Sequence, residues 1–339
     1  MIGVMAEQRP GSPEVTDQGS STSGLSRTTT VLALVLAVVF VIAVLAGARI
    51  LVDRNVYTEV SMGPVDAPDA DSATCGAIID SLPDRTSDYR SVGVTDPAPA
   101  GAAAYRDSGG AELTVRCGVS VPAQYSQVSS LISHGGTDWL RVDDATTGST
   151  LSTWYSLSAT PVVAVTGSPD AGTSLDDAVD FDGFGRAVAD HAHGDAPAPR
   201  SVALTDLRPD RGAASCTEFT DALPDAFGDH HRIRETTAGA DAGTPLEGVA
   251  VWAAPGAEPV VVRCGVAIPA SYAAGARLTQ VDEVPWFEDT ALANGSTVGS
   301  WYALGYGATV AVSLPLNIGD TVLPQLSGII AGTMEKTGN

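Results

Sequence analysis

The chain carries one pattern twice, and this restricts its fold more than any other feature. Cys75 to Asp84 read CGAIIDSLPD and Cys216 to Asp225 read CTEFTDALPD, both C-x4-D-x-L-P-D and 141 positions apart. Val115 to Tyr125 read VRCGVSVPAQY and Val262 to Tyr272 read VRCGVAIPASY, now 147 apart. The second spacing then holds from Trp139 to Trp286, from Trp154-Tyr155 to Trp301-Tyr302, and from Val163-Ala164-Val165 to Val310-Ala311-Val312. A six-residue insertion between the cysteines of the second copy explains the change. Ordered matches in one register mark a duplication, so the architecture must be one that two copies build alike.

Within each copy the apolar spacing predicts helix, strands, helix. Cys75, Ile78, Ile79 and Leu82 form one helical stripe that Pro83 ends, and Cys216, Phe219 and Leu223 repeat it. Leu113, Val115, Cys117 and Val119 alternate as a strand face, as do Val260, Val262, Cys264, Val266 and Ile268. WYSL, WYAL, VVAV and TVAV read as further strands, three to five per copy. Ser174 and Asp177 fit a capping box for a last helix carrying Phe181, Phe184 and Val188 inward; its counterpart is Leu323 to Met334. The expected class is α+β: two tandem repeats, each a small antiparallel sheet with flanking helices and one disulfide, behind one transmembrane helix. The expected organisation is a disordered cytoplasmic tail (1–30), an anchor (31–52), a polar stalk (53–70), repeat 1 (71–193), a linker (194–213) and repeat 2 (214–336).

Each copy has one cysteine on its first helix and one on a strand face. Four cysteines allow three pairings; the duplication favours Cys75 with Cys117 and Cys216 with Cys264. A zinc site would need paired C-x2-C spacing or histidines between them, and neither is present. Arg116 and Arg263, on the opposite strand face, are expected to pair with Asp80 and Asp84 and with Asp221 and Asp225 at the helix ends.

Val31 to Ala48 is an uncharged, mostly aliphatic run, and a helix of about 20 residues spans a bilayer. Ala46-Gly47-Ala48 also fits a signal-peptidase site, but the run exceeds an ordinary signal-peptide core. The cysteines all follow it, which favours an oxidising compartment downstream. The expected location is therefore the cell membrane, single-pass, with the carboxyl-terminal part outside the cytoplasm. A formal net charge of −22 argues against nucleic acid and anionic lipid surfaces as partners.

The C-x4-D-x-L-P, V-R-C-G-V-x-[VI]-P and D-W-L or P-W-F steps together resemble an actinobacterial envelope family known as the domain of unknown function 3515. The likeness covers Ser72 to His193 and Ser215 to Met334. It implies an exported, membrane-anchored protein and brings no catalytic residue. Where a lipoprotein would have its acylated cysteine, Leu45-Ala46-Gly47 is followed by Ala48.

Motifs for nucleophilic catalysis, phosphate binding and zinc hydrolysis are missing. His134, His191, His193, His230 and His231 have no histidine at the matching place in the other copy. The reading is therefore a non-catalytic extracytoplasmic module, without cofactor or metal, that binds an envelope protein or cell-wall component. The alternative is a cell-envelope hydrolase using carboxylates. Trp139, Trp154, Tyr155, Trp286, Trp301 and Tyr302 are the residues that could contact a ligand or partner, with core packing as the competing role.

Overall fold

The computed structural model describes residues 27–210, 216–273, 275–290 and 297–337. Most of the expected tail lies outside them. Helix α1, Arg27–Val56, belongs for nearly all its length to a unit separate from the rest of the chain. Its Thr28–Ile50 stretch has a mean hydropathy of 3.1 and is long and apolar enough to cross a membrane.

In the first repeat α2 (Ala73–Asp80) is followed by β1 (Arg85–Thr86), β2 (Tyr89–Val92), β3 (Ala102–Arg106) and β4 (Glu112–Val119). Then come β5 (Leu131–His134), β6 (Thr137–Asp143), β7 (Ser152–Ser156), β8 (Val162–Gly167), α3 (Leu175–Ala178) and α4 (Asp182–His191). The second repeat has α5 (Cys216–Asp221), β9 (Ala226–Phe227), β10 (His230–Ile233), β11 (Ala250–Ala253) and β12 (Val260–Cys264). It continues with β13 (Thr279–Val281), β14 (Val284–Asp289), β15 (Val298–Ala303), β16 (Val310–Pro315) and α6 (Gly319–Thr333). Each sheet has eight strands, ordered β1-β2-β3-β4-β8-β7-β6-β5 and β9-β10-β11-β12-β16-β15-β14-β13. Two four-strand meanders thus join where β4 lies antiparallel to β8, and β12 to β16.

Alternation sends one set of side chains to the helices and the other to the opposite face. Leu113, Val115, Trp139, Trp154, Val163 and Val165 meet Ile78, Phe181, Phe184 and Val188. Trp252, Val262, Trp286 and Val312 meet Val322, Leu326 and Ile330. On the opposite face of the second sheet, Val251, Val261 and Tyr302 are covered by Val202 and Leu204 of the preceding segment and by Val128 of the first repeat. Val202, Leu204 and Leu207 of the expected linker are therefore packed against the second sheet.

The VRCG strand holds each repeat together. Cys117 joins Cys75 and Cys264 joins Cys216, across separations of 42 and 48 residues. Loops of that size correspond to about 4 kcal/mol each in the loop-entropy model. The glycine after each cysteine has positive φ, +79° at Gly118 and +72° at Gly265. Its carbonyl accepts the Asp69 N–H at 3.2 Å in the first repeat and the Asp210 N–H at 2.7 Å in the second. A Cβ on Gly118 would lie 2.4 Å from the Ala70 nitrogen, so only glycine admits this approach.

The arginine pairing expected from the sequence does not form. Arg116 Nη2 donates to the Gly63 carbonyl at 2.6 Å, and Arg263 Nη1 donates to the carbonyls of Leu204 and Thr205, each at 2.6 Å. Each guanidinium thus binds the backbone that enters its repeat, not the helix-end aspartates. Asp84 and Asp225 instead accept the Ser91 and Arg232 N–H groups through their backbone carbonyls, both at 2.9 Å.

Two further expectations are corrected. Eight strands replace three to five, because β1 and β2 are too short to show alternation and β3, AAAYR, has little intrinsic strand preference. Pairing with β2 and β4 makes β3 a strand. The helix expected from Ser174 is two: α3 is one turn, Val179 is extended, and α4 starts at Asp182. Its start is set by tertiary contact, since the Gly135 N–H donates to Asp182 Oδ1 at 3.0 Å and Thr137 Oγ1 to the Gly185 carbonyl at 2.8 Å.

Arg116→Ala should cost about 1–3 kcal/mol, the usual loss when a carbonyl loses a charged donor. Urea denaturation of the Arg116→Ala, Asp84→Ala and double variants should be additive within about 0.5 kcal/mol. Coupling beyond that would restore the aspartate pairing.

Candidate functional site

The two repeats are joined by a segment that lies outside both sheets. Gln127 sits between two extended stretches: its N–H donates to the Arg200 carbonyl at 2.9 Å. Its own carbonyl accepts the N–H groups of Thr237 at 2.7 Å and Ala238 at 3.1 Å. Arg200 N–H returns a bond to the Tyr125 carbonyl at 3.0 Å, and Thr237 Oγ1 donates to the Ser129 carbonyl at 2.9 Å. Tyr125 is buried among Leu140, Leu157, Val162 and Ala238. At the corresponding place in the first repeat, Val60 bonds directly to Gly93 and Thr95. The second copy opens the gap that the first closes, and admits Gln127.

A second contact lies at the end of β6. Asp143 N–H donates to the Gly256 carbonyl at 2.8 Å. Gly256 has φ +74°, and a Cβ there would stand 2.1 Å from Asp143 Oδ2. That carboxylate is already held by Arg141, whose Nε donates to Oδ1 at 2.8 Å while Nη2 lies 2.7 Å from Oδ2. Nη1 faces Asp176 at 3.8 Å. The hydrogen bond to Asp143 is the main cause holding the guanidinium pKa above its ordinary value.

Between these two contacts is a cleft of about 360 Å³ with walls from both repeats. Leu140, Val142, Leu151 and Tyr155 line one side, and Ala253, Pro259 and Pro315 the other. Arg141, Asp143, Asp144 and Glu258 are its ionisable groups, with Tyr155. The Asp144 carboxyl is held below its ordinary pKa by the Thr146 N–H, then by the hydroxyls of Ser149 and Thr146. Glu258 Oε2 accepts the Thr297 hydroxyl at 2.8 Å. Burial pushes the Tyr155 phenol up, keeping it protonated.

Most of the aromatic residues singled out in the sequence are unavailable to a ligand. Trp139, Trp154 and Trp286 are 0 % exposed and Tyr302 is 1 % exposed, all within cores. Trp301 is partly buried against the second core. Tyr155 alone of the six reaches the cleft. Period-two alternation explains this: in WY, tryptophan faces the helices and tyrosine the other side. The histidines are scattered: His191 Nε2 meets Ser81 Oγ at 2.8 Å, and His230 is buried with Nε2 at 3.0 Å from the Glu258 carbonyl. Asp180 Oδ1 accepts the Asp182 N–H at 3.0 Å, and Asp182 Oδ1 accepts the Gly135 N–H at 3.0 Å. Among the described residues no three His, Cys, Asp or Glu side chains stand as a metal site. Arg141, Asp143 and Gly256 escaped sequence reasoning because their juxtaposition depends on how two repeats dock.

Gly256→Ala should loosen the joint, since alanine there is strained and meets Asp143. Hydrogen exchange at the Asp143 amide should accelerate by about tenfold or more while the VRCG amides stay protected. A second expectation concerns pH. Burial lowers the His230 pKa below its usual 6.5. The unfolded chain then binds the proton more readily, so stability is full above about pH 6.5 and falls as pH drops through that value. Tyr89 holds the matching place in the first repeat, and His230→Tyr should flatten the melting temperature between about pH 7.5 and 5.

No curated protein and no solved structure matches this chain. A family model described as protein of unknown function (DUF3515) matches it over residues 34–191 and again over 184–338. The two matched stretches contain both VRCG strands, both disulfides and the joint between the repeats, and the chain belongs to the DUF3515 family.

Proposed function

We propose that this chain is an extracytoplasmic module, tethered to the cell membrane by α1, that binds an envelope protein or cell-wall component without catalysing a reaction. The inter-repeat cleft carries this reading. Its walls come from two copies fixed by backbone hydrogen bonds, so its shape is preorganised, and it has the size of a small binding site. Its ionisable groups are committed to structural bonds: Arg141 to Asp143, Asp144 to its own loop, Glu258 to Thr297. General acid–base catalysis needs a group poised to exchange a proton near the working pH, and a depressed Asp144 is a poor acid. The hydrolase reading relies on Asp80 and Asp84 and on their counterparts Asp221 and Asp225, which are exposed around the end of the first helix of each repeat and do not line this cleft. Disulfides in each repeat suit an oxidising compartment.

Two measurements test this. Protease added to intact, wall-stripped cells should degrade the repeats and leave a membrane-protected fragment containing α1; full protection would refute the orientation. A photo-crosslinking residue at Leu151, in the cleft wall, should capture a discrete species in cells that the same residue at exposed Gln325 does not. Equal capture at both positions, or cell-wall hydrolysis by the purified protein that Asp80→Asn or Asp84→Asn abolishes, would overturn the binding reading.

A further inference from the structure

We infer that His230 is a proton-operated latch on the joint between the repeats: neutral, it holds the turn that docks on Asp143, and protonated, it releases that turn and opens one side of the cleft. The inference goes beyond the binding reading and stands whatever the cleft holds.

The turn joining β11 to β12 is held from two sides. It closes with the Ala257 N–H on the Ala254 carbonyl at 3.3 Å, with Pro255 and Gly256 at its corners. Its front docks on the first repeat: the Gly256 carbonyl accepts the Asp143 N–H at 2.8 Å, and Gly256 has no room for a side chain there. Its back is held by His230, whose ring Nε2 lies 3.0 Å from the Glu258 carbonyl. A carbonyl only accepts, so the neutral ring carries its hydrogen on Nε2 and donates it. Gly256, Ala257 and Glu258 are also part of the cleft wall. A shift of this turn therefore moves the inter-repeat contact and the wall together.

The first repeat shows that the fold does not require a histidine here. Tyr89 stands at the matching place. The matching turn is closed from within, since Asp107 Oδ1 accepts the Gly109 N–H at 2.9 Å and the Ala111 N–H at 2.8 Å. In the second repeat Ala254 stands where that aspartate would be. The copy whose turn docks on its neighbour has an imidazole behind the turn in place of a carboxylate within it.

His230 is 4 % exposed, and charging a ring so placed costs desolvation. Burial is the largest influence on the ring and lowers its pKa. The Glu258 carbonyl and Asp229 in the preceding turn favour the charged ring, and His231 next along β10 opposes it. β9 and β11, AF and AVWA, bring no ionisable side chain, while Asp143 and Arg141 face the turn from β6, at Gly256. A released turn leaves the ring in water, where it takes the proton more readily. The latch therefore holds above about pH 6.5 and loosens as pH falls from that value toward the lower pKa of the buried ring.

The test follows hydrogen exchange at the Asp143 amide in the full chain in detergent micelles, with the intrinsic pH dependence of exchange divided out. Protection should fall about three- to tenfold between about pH 7.5 and 5.5. About 1 M urea should not accelerate that opening, because releasing one turn exposes little surface. His230→Gln keeps a side-chain N–H for the Glu258 carbonyl and does not titrate, so Asp143 should stay protected with no response to pH. His230→Tyr, which takes the residue of the first repeat, should remove the response as well, and His231→Gln should leave it intact. Constant protection in the unsubstituted chain, a response that persists in both His230 variants, or one lost with His231→Gln would overturn the inference. An opening that urea accelerates would also overturn it, since acid would then be unfolding the repeat. If neither His230 variant folds, the ring carbon shifts of His230 in the unsubstituted chain decide: a titration midpoint at or above about pH 6.5 refutes the latch, and one below it that accompanies the loss of Asp143 protection supports it.

Discussion

A backbone carbonyl drawn against the face of a sheet needs a donor there, and a guanidinium on the neighbouring strand supplies one without requiring the incoming chain to be a strand itself. Arg116 does this for Gly63, and Arg263 for Leu204 and Thr205. Next along the strand a cysteine ties the sheet to the first helix, and after it a glycine with positive φ lets the incoming backbone come close enough to bond. Three consecutive residues therefore fix a helix, a sheet and an entering segment relative to one another. In the second repeat that entering segment is the connection from the first. The clamp makes the connection part of the second repeat, and the position of one copy follows from the other.

The two copies share a frame and differ in how they finish it. Tyr105 donates its hydroxyl to the Pro83 carbonyl at 2.8 Å; at the matching place the Trp252 indole donates to the Pro224 carbonyl at 2.9 Å. A phenol and an indole thus stabilise the same L-P-D turn after the first helix. Elsewhere the copies diverge in ways that bear on function. The strip beside Val60 is closed in the first repeat, while its counterpart in the second is opened by Gln127. This asymmetry joins the repeats in one order, and the cleft occurs at that junction. Each copy by itself supplies only one of its walls.

The sequence by itself determined the duplication, the class of the fold, both disulfides and the apolar span, because each is written in short-range spacing or in a pattern repeated across copies. Cys75 and Cys216 recur on helical stripes, Cys117 and Cys264 on alternating strands, and pairing within each copy was the economical solution. It identified Arg116 and Arg263 as notable without their partners, since the partners are carbonyls, which no side-chain pattern reveals. It brought out the tryptophans by their recurrence, which came from packing: the same register that repeats a core residue would repeat a ligand contact. What only the tertiary structure decided was the extra strands, the break between α3 and α4, and the joint with its cleft. β3 is a strand through its neighbours rather than its own propensity. Arg141, Asp143 and Gly256 meet across more than a hundred residues of chain, through a contact that exists only when one repeat is docked on the other.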